Sequence, residues 1–214
     1  MTEDTGGEGA MTRVACDGDG IAAAARLVRS GGVVIFPTDT VYGIGCDPYN
    51  AGAVQRIYDI KSRERTKPLP VLVDSARTAG RISVMDDETV RRMASRFWPG
   101  PLTMILDVRD RRLAESLNLG GHGGGIALRV PAHKCTRMLL GSCRMIAGTS
   151  ANVSGAGSTG DPDACAGAMK GYDMILDGGV IRDPAESTVV DARGGRVTMI
   201  REGGRLSMQE LLGA

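Results

Sequence analysis

Aromatic side chains are scarce in this chain of 214 residues, at 3% of the total. With two Phe, four Tyr and one Trp, the composition disfavours an aromatic cage or a base-stacking platform as the functional surface. Lysine is rare too, since only four of the 26 basic residues are Lys. A net charge of +1 lacks the broad basic excess of a dedicated nucleic-acid-binding protein, although local clusters of Arg are compatible with it.

Several other sequence features are also missing. No apolar run approaches the ~20 residues of a membrane-spanning helix, and the first residues do not resemble a signal peptide, so we expect a cytoplasmic protein. The five Cys form no CxxC pair and only two His are present, which disfavours a structural zinc site. We expect the Cys to be reduced core residues. No Walker A motif occurs, so a P-loop nucleotide site has no support. No G-x-S-x-G motif occurs either, so covalent hydrolase chemistry has no support.

The hydrophobic content of 42% is sufficient for a packed core. Short apolar runs such as residues 33–36, 70–73 and 102–106 are typical of buried strands, and they interleave with helical segments. The pattern predicts seven or eight strands and five or six helices, without an internal repeat. We therefore predict one α/β domain over residues 13–214, a mixed sheet covered by helices, behind a mobile tail of residues 1–12.

A polar segment, residues 37–45, follows the first of these strands directly. Loops at the carboxyl ends of strands are where α/β sheets bind ligands. The hydroxyls of Thr38 and Thr40 could hold a carboxylate or an ammonium group. The alternative is an ordinary hydroxyl-rich turn.

Two of the four Lys fall within residues 61–70. Where the preceding helix unwinds, Lys61 and Arg63 can converge on one anion as a phosphate clamp. The alternative is a solvated basic helix end, which also suits the helix dipole.

A third polar segment, residues 149–155, presents small donors that suit phosphate oxygens: Thr149, Ser150 and Asn152. A polar loop with Asx and Ser turns is the alternative interpretation. Residues 155–160 then match G-x-G-x-x-G, with Asp177 about 20 residues later. We disfavour a dinucleotide site, because Asp161 and Pro162 restart the helix only after the third glycine. The glycine run of residues 120–125 could act as a lid, and a disordered loop is the alternative.

Taken together, these segments resemble the YrdC-like family, the threonylcarbamoyl-AMP synthases. The resemblance extends from about residue 21 to 204 and rests on seven landmarks in order: FPTDTVYGIG (36–45), KSR with KPLPVLV (61–73), FWPGPLT (97–103), ALRVP (127–131), TSANVSG (149–155), ESTVVD (186–191) and IREGG (200–204). It implies the YrdC-like fold, a twisted open mixed sheet with a large concave cavity.

The resemblance also implies a nucleotidyltransferase reaction. L-threonine, bicarbonate or CO2, and ATP give threonylcarbamoyl-AMP and pyrophosphate, and partner proteins then transfer the threonylcarbamoyl group to tRNA. Mg2+ is expected to arrive with ATP, because no carboxylate cluster forms a metal cage. Contact with tRNA or double-stranded RNA is a further implied property.

Family positions transfer to matching residues of this chain. The resemblance implies threonine contacts from Thr38, Thr40, Arg129, Thr149 and Ser187. It implies nucleotide contacts from Lys61, Arg63, Lys67, Ser150, Asn152 and Arg201, of which Lys61, Arg63, Ser150 and Asn152 form the catalytic group. Leu72 stands where longer relatives have a His for the amino acid. We also expect their extra C-terminal domain to be missing here.

Two functions from other classes stay open at this point. One is a non-catalytic module that binds double-stranded RNA or tRNA. The other is a carbamoyltransferase-type paralog that acts on carbamoyl phosphate.

Overall fold

The structure is a computed structural model that describes residues 11–119, 123–153, 155 and 157–213. In these residues, ten strands form one mixed sheet in the order β1-β8-β2-β3-β7-β4-β6-β5-β9-β10. The strands are Thr12–Ala15 (β1), Val34–Phe36 (β2), Gly43–Cys46 (β3), Val71–Val73 (β4), Leu102–Asp107 (β5), Gly125–Arg129 (β6), Met145–Ser150 (β7), Met174–Asp177 (β8), Thr188–Asp191 (β9) and Thr198–Arg201 (β10). The predicted single α/β arrangement with a mixed sheet is confirmed, whereas the predicted seven or eight strands and five or six helices are too few.

Eight α-helices accompany the sheet in the described part of the chain: Gly18–Arg29 (α1), Ala51–Lys61 (α2), Ala76–Ile82 (α3), Glu88–Phe97 (α4), Arg111–Ser116 (α5), Lys134–Cys143 (α6), Pro162–Ala168 (α7) and Met208–Leu212 (α8). Most begin at a side-chain cap. Asn50 caps α2 by accepting from the amide of Ala53, and Ser207 forms a capping box with Glu210. No helix among the described residues is long and apolar enough to cross a membrane.

The two faces of the sheet are covered to different extents. One face carries a large core in which α2 and α4 pack on the strands. On the other face, α1 and α6 pack beside each other and cover a smaller core that includes Phe36 and Ile146. That helical layer does not extend over β6, β5 and β9, where Arg129, Thr103 and Ser187 line an open cavity instead. The concave site therefore lies where one helical layer ends.

Some elements differ from the predictions. Gly43–Cys46 forms β3, although we predicted a loop through residue 45, because β2 and β7 pair with it on both sides. Thr12 belongs to β1, so the predicted tail over residues 1–12 is wrong at its end, and residues 1–10 lie outside the described residues. Residues 120–122 of the predicted glycine lid also lie outside them.

The prediction that the cysteines are all reduced is wrong for two of them. A disulfide joins Cys16 and Cys135, whose Cα atoms are 5.8 Å apart across 119 residues of sequence. Packing of α1 against α6 brings the two together, since Cys16 lies just before α1 and Cys135 lies in the first turn of α6. Cys46 and Cys165 are free and buried, as predicted.

Gly45 is needed because β3 lies close to β7. A Cβ atom at this position would lie 2.5 Å from Cγ2 of Ile146 and 2.7 Å from the carbonyl oxygen of Ala147. Gly45→Ala should lower the free energy of unfolding by about 2 kcal/mol, the usual scale of overpacking. Gly141→Ala is the matched control, because a Cβ there meets nothing within 4 Å in α6. Urea unfolding of both variants measures the difference, and equal stabilities would contradict this packing account.

Candidate active site

A cavity of about 660 Å³ lies on the open face of the sheet. It gathers segments that are far apart in sequence, from β2 to β10. All eleven residues that the sequence placed in a site line its wall: Thr38, Thr40, Lys61, Arg63, Lys67, Arg129, Thr149, Ser150, Asn152, Ser187 and Arg201. The three polar segments of the sequence therefore form one site.

Alternation along the strands explains which side chains reach the cavity. Met104, Leu128 and Val190 point into the core, so their neighbours in sequence face the opposite side of the sheet. The cavity-facing row runs across four adjacent strands, β6, β5, β9 and β10, as Arg129, Thr103, Val189 and Arg201. With strands roughly 4.8 Å apart, the backbones of the two Arg are separated by about 14 Å. One cation therefore stands at each end of the row.

Arg129 is a buried cation, with 5% of its surface exposed. Its Nη2 donates to the carboxylate of Asp39 at 2.6 Å, and its Nε donates to the carbonyl oxygen of Gly100 at 2.9 Å. Burial lowers the pKa of the guanidinium, and the Asp39 charge opposes that shift. The Asp39 carboxylate also accepts from the amide of Ala132 at 2.9 Å. This ion pair ties the loop after β2 to the segment that precedes α6.

The hydroxyls of Thr38 and Thr40 have separate tasks. Thr38 donates its proton to the carbonyl oxygen of Val41 at 2.6 Å, so Thr40 is the donor in the 2.8 Å contact between the two hydroxyls. Arg129 Nη1 donates to Thr40 Oγ1 at 2.8 Å. A hydroxyl oxygen has two lone pairs, so Thr40 retains one for a proton-bearing group of a ligand.

Lys61 is buried, with 2% exposure, which overturns the alternative of a solvated helix end. Helix α2 ends here because Ser62 adopts a left-handed conformation, with φ of 49°. The ammonium group donates to the carbonyl oxygens of Ser150 and Asn152, and to Asn152 Oδ1 at 3.3 Å. Asn152 Oδ1 also accepts from Ser150 Oγ at 2.6 Å. Lys61 therefore holds the loop after β7 in place and puts a positive charge in the cavity wall.

The other cations are more open to solvent. Arg63 donates to the carbonyl oxygens of Lys67 and Pro68, and burial lowers its pKa. Lys67 is exposed at the rim, with Nζ 3.1 Å from a carboxylate oxygen of Glu64. Arg201 is half-exposed, pairs with Glu186 and donates to the carbonyl oxygen of Ser187 at 2.9 Å.

Three residues of this site were missed by sequence reasoning. Thr103 lies in the FWPGPLT landmark, and strand alternation would have aimed it at the cavity once its register with β9 was known. Asp39 lies in FPTDTVYGIG, but its partner Arg129 is 90 positions away. Glu186 gave no signal beyond its landmark. Leu72 lines the cavity and pairs in register with Arg129, so the departure noted in the sequence lies beside the buried cation.

The disfavoured dinucleotide interpretation gains no support from the structure. The carboxylate of Asp177 bonds to Arg13 and to the amide of Gly179, at the β1 side of the sheet. His133 caps α6 by accepting from the amide of Cys135.

Comparison with known proteins identifies the family. The model of the Sua5/YciO/YrdC family, described as "Telomere recombination", matches residues 26–203. The chain belongs to this family.

Individual relatives agree with that assignment. The chain is 36% identical over 196 residues to the threonylcarbamoyl-AMP synthase of Pyrococcus abyssi, covering 89% of this chain and 56% of the relative. It is 33% identical over 178 residues to the threonylcarbamoyl-AMP synthase of Chromobacterium violaceum, covering 81% and 89%. The crystal structure of P. abyssi Sua5 complexed with L-threonine superposes with a TM-score of 0.85 at 33% identity, covering 95% of this chain and 60% of that one. The chain thus spans little more than half of the P. abyssi relative and most of the C. violaceum one.

The Asp39–Arg129 pair gives a stability prediction. Asp39→Asn leaves a buried guanidinium without its counter-charge and should cost about 3 kcal/mol of unfolding free energy. Asp86→Asn is the control, because Asp86 pairs with Arg109 while 73% of its side chain is exposed. Urea unfolding should separate the two variants clearly, and a stable Asp39→Asn protein would contradict the central role of this pair.

Lys61 gives a pH prediction. Burial, with a smaller contribution from the Arg63 charge, lowers its pKa to about 8. The ammonium is charged below that pH and loses its proton as the pH rises through it, so binding of a phosphate-bearing ligand should weaken above about pH 8. Calorimetric titration with ATP from pH 7 to 9.5 measures this. Lys61→Met should bind weakly and without that step, and an identical step in the variant would assign the titration to another group.

Proposed function

We propose that this chain is an L-threonylcarbamoyladenylate synthase. It joins L-threonine, bicarbonate or CO2, and ATP, and releases threonylcarbamoyl-AMP and pyrophosphate. The observation that carries the proposal is a single cavity lined by the buried Arg129 and by four further cations, in a chain similar to a threonine-bound relative. In this proposal, machinery that modifies tRNA then consumes the product in the cytoplasm.

The amino acid binds at the Arg129 end. A guanidinium suits a carboxylate because both groups are planar and can form two parallel N–H···O hydrogen bonds. Thr40 offers its remaining lone pair to the amine, and Thr38 fixes the orientation of Thr40. Thr149 and Ser187 complete this part of the wall.

The nucleotide binds at the Lys61 end. Lys61 and Arg63 neutralise phosphate charge with Arg201, and Lys67 adds a cation at the rim. Ser150 and Asn152 form the loop that Lys61 holds, and their polar groups orient the phosphates. Mg2+ arrives with ATP in this proposal, since the carboxylates of Glu64 and Glu186 in the wall are each paired with a cation.

The chemistry needs little acid or base work. The carbamate of threonine forms from the free amine, and one of its oxygens attacks the α-phosphorus while pyrophosphate leaves. Carbamates decompose readily in water, so a walled cavity protects the intermediate. Catalysis then rests on positioning and on charge neutralisation, which are the properties that this site offers.

The direct test follows pyrophosphate release with ATP, bicarbonate and a series of amino acids. We expect release that requires L-threonine and bicarbonate together. Turnover of carbamoyl phosphate without threonine would favour the carbamoyltransferase-type paralog instead. Salt-dependent binding of tRNA without pyrophosphate release would favour the RNA-binding module.

The phosphate clamp has its own prediction. Lys61→Ala or Arg63→Ala should reduce pyrophosphate release at least ~10²-fold, the scale for losing one preorganised donor to a developing charge. Lys134→Ala is the matched control, because Lys134 is exposed at the start of α6. Near-normal turnover in both clamp variants would refute the assignment.

A further inference from the structure

Thr103 and Ser187 form a buried hydroxyl pair in the cavity wall. They are 3% and 8% exposed, and their oxygens lie 2.9 Å apart. Each hydroxyl carries one proton, and only one of these protons fits between the two oxygens. Within the described residues no carbonyl or carboxylate accepts the second proton, so the pair offers it to the cavity.

The pair lies between two cations of the cavity wall, Arg129 and Arg201. In the cavity-facing row, Thr103 is one strand from Arg129 and two strands from Arg201. Arg201 Nη2 also donates to Ser187 Oγ at 3.3 Å, which connects the pair to the phosphate-binding end. The neighbouring wall is apolar, with Ile105 and Val189. A group that joins an amino acid on Arg129 to a phosphate on Arg201 would lie beside this pair.

We propose that the Thr103–Ser187 hydroxyl pair is the subsite for the bicarbonate-derived carboxyl group of the carbamate. This inference rests on the proposed function and adds Thr103 to its binding residues. In the step served, the amine nitrogen forms a bond to the bicarbonate carbon, and hydroxide leaves with one amine proton as water. The carbamate anion that remains has an oxygen able to accept the free hydroxyl proton. Uncharged donors suit this anion because they orient it without an ion pair that would hold it back from the α-phosphate.

The test is the bicarbonate dependence of pyrophosphate release in Thr103→Val, which keeps the branched shape in β5. The KM for bicarbonate should rise about tenfold, the effect of one lost hydrogen bond to a charged group. The dissociation constants of ATP and L-threonine, measured by calorimetry without bicarbonate, should stay unchanged. Thr103→Ser should restore the wild-type KM, and Thr198→Val, at an exposed position of β10, is the matched control.

Ser187→Ala removes the other half of the pair and should raise the same KM. An unchanged bicarbonate KM in either folded variant overturns the inference. An equal weakening of ATP and threonine binding in Thr103→Val also overturns it, since that result indicates a structural role. Threonine binding is not compared in Ser187→Ala, because Ser187 is itself a proposed threonine contact. If the wild-type protein releases pyrophosphate and the variants have the same KM for bicarbonate, only the subsite is rejected. Wild-type protein with no threonine-dependent release rejects the proposed function itself.

Discussion

A guanidinium with 5% exposure must find its neutralising partners inside the protein, and Arg129 does so with three groups from two separate segments. The Asp39 carboxylate supplies the opposite charge, Thr40 a hydroxyl oxygen and Gly100 a carbonyl oxygen. These bonds fix the loop after β2 and the turn before β5 relative to β6. Because Asp39 also accepts from Ala132, the start of α6 joins the same network. The amino-acid end of the cavity is thus shaped by the requirements of one buried cation.

Lys61 plays the corresponding part at the other end. Its ammonium group bonds to two carbonyl oxygens of the loop after β7 and remains close enough to the cavity to contribute charge. Structure and electrostatics are therefore combined in one side chain. Of the four Lys in the chain, Lys61 is buried and the other three are exposed. The scarcity of aromatics fits the same design, because cations, hydroxyls and backbone groups line most of the wall.

The sequence predicted which residues line one cavity better than it predicted the contacts that hold the cavity wall together. Lys61, Arg63 and Ser150 carry distinctive chemistry in short motifs, and all three line the cavity. By contrast, β3 contains two glycines in four residues, and it becomes a strand only because β2 and β7 flank it. The roles of Asp39 and Thr103 depend on partners 90 and 84 positions away. The disulfide spans 119 residues, and spacing alone does not identify such pairs.

The central claim is that one cavity holds an amino acid at Arg129 and a nucleotide at Lys61. A crystal structure of the chain with L-threonine and a non-hydrolysable ATP analogue tests this most directly. The account predicts the threonine carboxylate on Arg129, its amine beside Thr40, and the phosphates among Lys61, Arg63 and Arg201. Ligands bound elsewhere, or a nucleotide whose phosphates point away from Lys61, would contradict it.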